Sequence, residues 1–137
     1  ILNEQAKLKF GKPLSNIVYM GMGEPLLNYD NLIKSIDLIT NDRGLGMSPK
    51  RITVSTAGIA KMIKKLADDK VKFNLALSLH TADNEKRNNI MPINESIDLT
   101  KLEEAIKYFY DKTGTRVTYE YILFDGVNDT LEDATNL

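Results

Sequence analysis

The chain switches repeatedly between an apolar spacing of two, the mark of strands, and one of three to four, the mark of helices. Ile1, Ala6, Leu8 and Phe10 fit the last turns of a helix with no cap ahead of it. Asn16 to Met20 is then a short apolar run ending in Gly21, Met22 and Gly23, and behind it Leu32, Ile33, Ile36 and Ile39 share one helical face. Arg51 to Thr56 is β-branched and bounded by Pro49 and Gly58, and Ile59, Met62, Ile63 and Leu66 follow at helical spacing. Phe73 to Leu79 reads as a third strand, with a polar helical stretch around Asp83 to Asn89 after it. A longer helix with Leu102, Ala105, Ile106 and Phe109 on its buried stripe is expected to open at a capping box, Thr100 with Glu103, and to close at Gly114. Val117 to Phe124 is the fourth strand, and Gly126 to Thr130 turns the chain into a last helical pattern with Leu131 and Ala134.

Strands that alternate with amphipathic helices predict the α/β class. Parallel neighbours need a crossover, and the crossover is right-handed, so (βα) repeats build a parallel sheet covered by helices. Four strands do not decide between an open sheet and part of a barrel. The opening without a cap, and a final helical pattern that stops at Leu137 without a terminator, lead us to expect a piece of a longer protein.

Composition narrows the classes. A chain of 137 residues has room for one domain, and 42% apolar with 27% charged residues is the balance of a globular protein rather than a disordered one. The net charge of −1 argues against a small module that grips nucleic acid by its own field. Lysines 61, 64, 65, 70 and 72, and Arg43 with Lys50 and Arg51, read as solvated faces. No run approaches the roughly 18 apolar residues of a membrane span and no secretory pattern opens the chain, so a cytoplasmic location is expected. There is no cysteine, which removes disulfides, thiol nucleophiles and cysteine-held metal clusters from these residues.

In parallel α/β folds ligands gather outside the carboxyl ends of the strands, and here those positions are polar. They are Gly21 to Pro25, Ser55 and Thr56, Ser78 and His80, and Asp125, Asn128 and Asp129. In the first turn the glycines let a backbone approach a ligand, and Glu24 suits either an ammonium or hydroxyl-bearing ligand or a simpler duty as cap of the next helix. Ser78 and the single histidine, His80, stand two residues apart and are expected on one face, with no strand-end acid obvious beside them. Ser55 could serve only as a helix cap. The P-loop pattern, the third glycine of a dinucleotide fingerprint and the G-x-S-x-G elbow are all missing.

Taken in order, these segments resemble the dual-specificity RNA methyltransferases of the radical S-adenosylmethionine superfamily. The resemblance rests on Met20-Gly-Met-Gly-Glu-Pro-Leu-Leu-Asn28, Thr53-Val-Ser-Thr-Ala-Gly58, Leu75-Ala-Leu-Ser-Leu-His80, Arg87 with Met91-Pro-Ile-Asn94, and Tyr119-Glu-Tyr121 with Val127-Asn-Asp129, which together run through nearly the whole chain.

The resemblance implies that residues 1–137 are a partial core domain, an arc of an incomplete TIM-like barrel, without its cluster-binding segment and last strands. It implies S-adenosylmethionine as cofactor, with Gly23 and Glu24 at the methionyl amino end, Ser55 at the carboxylate or ribose, and Ser78, Leu79 and His80 lining the same ligand. Arg87 and the stretch from Pro92 to Asn94 recur in the family without an assigned contact. A [4Fe-4S] cluster on three cysteines spaced C-x3-C-x2-C, and a further cysteine that carries the methyl group, would lie outside these residues. The implied activity is methylation of carbon 2 of an adenine in 23S rRNA and tRNA, none of it by this chain alone. The expected partners are those RNAs, with self-association through exposed sheet edges. The rival readings are the sister activity at carbon 8 of adenine, a noncatalytic metabolite-binding module in which the lack of cysteine is native, and acid-base chemistry by Glu24 and His80.

Overall fold

The computed structural model describes the backbone of residues 1–137 and every side chain except that of Glu95. Four parallel strands, β1 (Ile17–Tyr19), β2 (Ile52–Thr56), β3 (Asn74–Ser78) and β4 (Val117–Glu120), lie in the order β1-β2-β3-β4. The helices are α1 (Leu2–Phe10), α2 (Tyr29–Thr40), α3 (Ala60–Asp68), α4 (Asn84–Ile90), α5 (Leu99–Thr113) and α6 (Leu131–Asn136). Short 3-10 turns stand at Pro25–Asn28, Pro49–Arg51 and Pro92–Glu95.

Strand register sorts the side chains into two faces. Pairing of Ile17 with Ile52, Val54 with Leu75, and Leu75 with Val117 puts the apolar set on one face. These residues share a single core with Leu32 and Ile36 of α2, Ile63 and Leu66 of α3, and Leu102, Ala105 and Phe109 of α5. Pairing of Val18 with Thr53, Ser55 with Ala76, and Ser78 with Glu120 fills the opposite face with small and polar groups. Helices on one face only are what right-handed crossovers produce when strand order never reverses, so the sheet has the build of a barrel wall rather than of a doubly wound sheet.

Two element boundaries differ from the sequence reading. Helix α5 does not open at a Thr100–Glu103 box. Asp98 is its cap, its carboxylate accepting from the Lys101 amide at 3.0 Å, because aspartate caps as well as threonine and the earlier start adds the bond from Leu102 N to Asp98 O at 3.1 Å. Strand β4 stops at Glu120 rather than Phe124. Its partner strand has ended by then: the amides of Leu79 and His80 both donate to Glu120 O, and from there the Asn128 side chain satisfies the backbone of residues 122 and 124.

Candidate functional site at the carboxyl ends of the strands

A cleft of about 850 Å³ opens where the four strands end. Gly23, Glu24, Ser55, Ser78 and His80 all line it, so residues from three successive βα units converge as the sequence suggested. Leu79 lies outside the lining, its side chain packed against the core.

The first wall is the turn after β1. Gly21 and Gly23 have φ of 123° and 97°, a backbone that side-chain-bearing residues rarely adopt. A Cβ on Gly23 would meet nothing within 4 Å, so the conformation and not crowding demands glycine there. Glu24 then fastens this turn to β2. Its Oε1 accepts from Leu26 N and from Thr56 Oγ1, each at 2.9 Å, and its Oε2 accepts from Ala57 N at 2.7 Å. Glu24 is therefore both the cap of the 3-10 turn at Pro25–Asn28 and a lining residue of the cleft. A carboxylate has about four lone-pair sites, which leaves capacity beyond these three bonds.

Ser55 and Ser78 project from the polar face of the sheet. Ser55 does not cap α3, whose N-cap, Ile59, has no side-chain bond. Instead its hydroxyl donates to Glu120 Oε2 at 2.5 Å, and the Ser78 hydroxyl donates to the same oxygen at 3.2 Å. The strand-end acid that the sequence did not reveal beside Ser78 is thus Glu120. Its signal was alternation in β4, legible only once the register of Ser78 against Glu120 is known.

His80 does not continue the strand. It has φ of 61°, a left-handed conformation uncommon outside glycine, held by its amide donating to Glu120 O at 3.2 Å and its carbonyl accepting from Asn128 Nδ2 at 2.5 Å. Nδ1 accepts from Ile122 N at 3.2 Å, so the neutral ring carries its proton on Nε2. No fully buried side-chain nitrogen or oxygen among the described residues lacks a partner, and Nε2 has none, so it meets solvent. Burial pulls the imidazole below its usual pKa, the charge of Arg87 adds to this, and Glu120 opposes it.

Arg87 is fully buried behind the cleft. Its Nη2 donates to Ala57 O at 2.9 Å and to Ser78 O at 3.3 Å, Nε to Leu79 O at 3.3 Å, and Nη1 to Asn94 Oδ1 at 2.7 Å. Asn94 is aimed in turn by donating to the Asn84 carbonyl and to the side chain of Asn88. All the acceptors of the guanidinium are neutral, and burial lowers its pKa from the ordinary value. Arg87 and Asn94, which had no assigned contact in the sequence, thus set the ends of β2 and β3.

A model of the radical SAM superfamily matches residues 1–137. The chain is 59% identical over 136 residues to a probable dual-specificity RNA methyltransferase RlmN of Flavobacterium psychrophilum, an alignment that covers 99% of this chain and 39% of that protein. It is 59% identical over 137 residues to the protein of the same name from Cytophaga hutchinsonii, covering 100% of this chain and 38% of that one. The chain therefore spans about two-fifths of the length of the curated relatives it matches. The crystal structure of a radical SAM methyltransferase from Sphaerobacter thermophilus superposes with a TM-score of 0.94 at 37% identity, over 98% of this chain and 39% of that one. With its one-sided parallel wall and a family match over its whole length, the chain belongs to the radical SAM superfamily and forms an arc of its TIM-like barrel.

Proposed function

We propose that the whole protein is a radical SAM RNA methyltransferase that methylates carbon 2 of adenine in 23S rRNA and tRNA. In this reading residues 1–137 are part of its core domain and the cleft is the S-adenosylmethionine site. The observation that carries the reading is the convergence of Glu24, Ser55, Ser78 and His80 on one cleft, in a chain so similar to proteins named for that activity.

The chemistry of the cleft fits the cofactor. Small-molecule sites span about 300–1,000 Å³, and this one pairs an apolar rim of Met20, Met22 and Met91 with a polar floor, as an amphiphilic nucleoside requires. Glu24 lines it and Glu120 stands behind its serines, while no Lys or Arg does so among the described residues, which suits a ligand whose ammonium and sulfonium outweigh one carboxylate. Gly23 and Glu24 would hold the amino end, Ser55, Ser78 and His80 would line the nucleoside, and Leu79 would back them from the core. Arg87 would keep the β2 and β3 ends in register for the ligand.

These residues do not fit an iron–sulfur cluster. The chain has no cysteine, and the described residues include no group of three or more potential metal ligands. In the whole protein the cluster would supply the electron and S-adenosylmethionine the methyl group. No helix among the described residues is long and apolar enough to cross a membrane, which is compatible with a cytoplasmic RNA enzyme.

The test is anaerobic incubation of the reconstituted full-length protein with ribosomal RNA and tRNA, with the modified adenine located by mass spectrometry. A methyl group on carbon 2 is expected. Unmodified RNA would overturn the proposal, and a methyl group on carbon 8 would reassign it to the sister activity.

A further inference from the structure

Three polar groups on the inner face of the sheet come together at the rim: Ser55 from β2, Ser78 from β3 and Glu120 from β4. Each serine has one proton, and both protons are directed at the same oxygen, Glu120 Oε2. What the hydroxyls retain for the cleft is lone pairs. Glu120 Oε1 has no partner, and since no fully buried side-chain oxygen among the described residues lacks one, it too meets solvent. The rim from β2 to β4 is therefore a run of acceptors. A carboxylate would find no donor among these three side chains, whereas adjacent hydroxyl groups would find several acceptors, one of them ionised.

We propose that Glu120 is a specificity-determining and positioning residue of the cleft: by taking the protons of Ser55 and Ser78 it sets three strand ends as acceptors and reserves that part of the cleft for the ribose diol. The proposal rests on the reading of the cleft as an S-adenosylmethionine site and deepens it. It decides between two duties left open for Ser55, assigning it to the ribose rather than to the methionyl carboxylate. It also explains why an acid sits on a sheet face whose other members are small, at the one position from which its side chain reaches both the neighbouring strand and the next beyond.

The experiment is equilibrium binding by calorimetry to the full-length protein. The probes are S-adenosylmethionine and its analogue lacking both ribose hydroxyls, and the proteins are wild type, Glu120→Gln and Ser55→Ala. Wild type is expected to prefer the ribose ligand by roughly 10- to 100-fold, the loss of a charge-assisted hydrogen bond expressed as affinity. In Glu120→Gln an amide donor replaces one acceptor oxygen, and the preference should collapse to within about threefold. Ser55→Ala, which removes one hydroxyl and leaves Glu120 in place, should reduce the preference by a smaller factor and keeps the test open if Glu120→Gln does not fold.

Equal weakening of both ligands by Glu120→Gln would mean that Glu120 only braces the sheet, and would overturn the proposal. A wild type that binds the two ligands equally would overturn it as well, while sparing the reading of the cleft. A wild type that binds neither would overturn that reading itself.

Discussion

At the residue scale the account turns on polar side chains whose partners are all identified. Arg87 carries a buried charge satisfied by neutral carbonyls alone, so a lysine, with one compact ammonium, would leave several of them without donors. Arg87→Lys should lower stability by about 2–3 kcal/mol, read as an earlier denaturation midpoint at unchanged m-value. An unchanged midpoint would show that the guanidinium does not hold the strand ends. His80 gives a pH signature. Its folded pKa lies below the ordinary 6.5, so in the interval between the two values the unfolded chain binds the extra proton and stability rises with pH. The contribution is complete above about 6.5 and is lost as pH falls toward the folded value. Melting temperatures should decline on going below that pH, and His80→Asn, which keeps an acceptor and tolerates positive φ, should flatten the decline. A slope identical to wild type would place the titration elsewhere. The sequence named His80, but its left-handed backbone and its bond to Ile122 depend on residues some 40 positions away and left no local trace.

Elements were more legible than their contacts. Period and turn chemistry located all four strands and the helices after them, since an amphipathic stripe such as Ile63 and Leu66 is written locally. Boundaries failed where distant groups decide them. Strand β4 ends because Asn128 donates to His80 O and Ile122 O and accepts from Phe124 N, a clamp that β propensity in residues 121–124 cannot report. The link between β2 and α3 depends on Gly58, with φ of 105° and a missing Cβ that would sit 3.0 Å from Leu102 Cδ1 and 3.1 Å from Leu77 Cδ1. Gly58→Ala combines backbone strain with overpacking and should cost about 2 kcal/mol or more, measured by thermal or chemical denaturation. A neutral result would mean that α3 and α5 can shift apart freely.

At the scale of the molecule, one arrangement accounts for both core and cleft. Sequential strand order puts the helices on one face and leaves the other to Thr53, Ser55, Ser78, Thr118 and Glu120, which is why chemistry collects on the inside of the wall. That division was hidden in the sequence, where strand order and register are not written. Among the described residues no further strand pairs with β1 or β4, and Val18, Ile122 and Leu123 are exposed near those edges. Residues 1–137 expressed alone should therefore self-associate, with sedimentation coefficients that grow with concentration; a concentration-independent monomer would contradict this. The central claim is that the strand-end cleft receives S-adenosylmethionine. It is tested most directly by a crystal structure of the full-length protein grown anaerobically with that cofactor. The account predicts the cofactor in the cleft, against Gly23 and Glu24 at one end and within hydrogen-bonding distance of Ser55 and Ser78 at the other. A cofactor bound elsewhere, with these side chains facing only solvent, would contradict it.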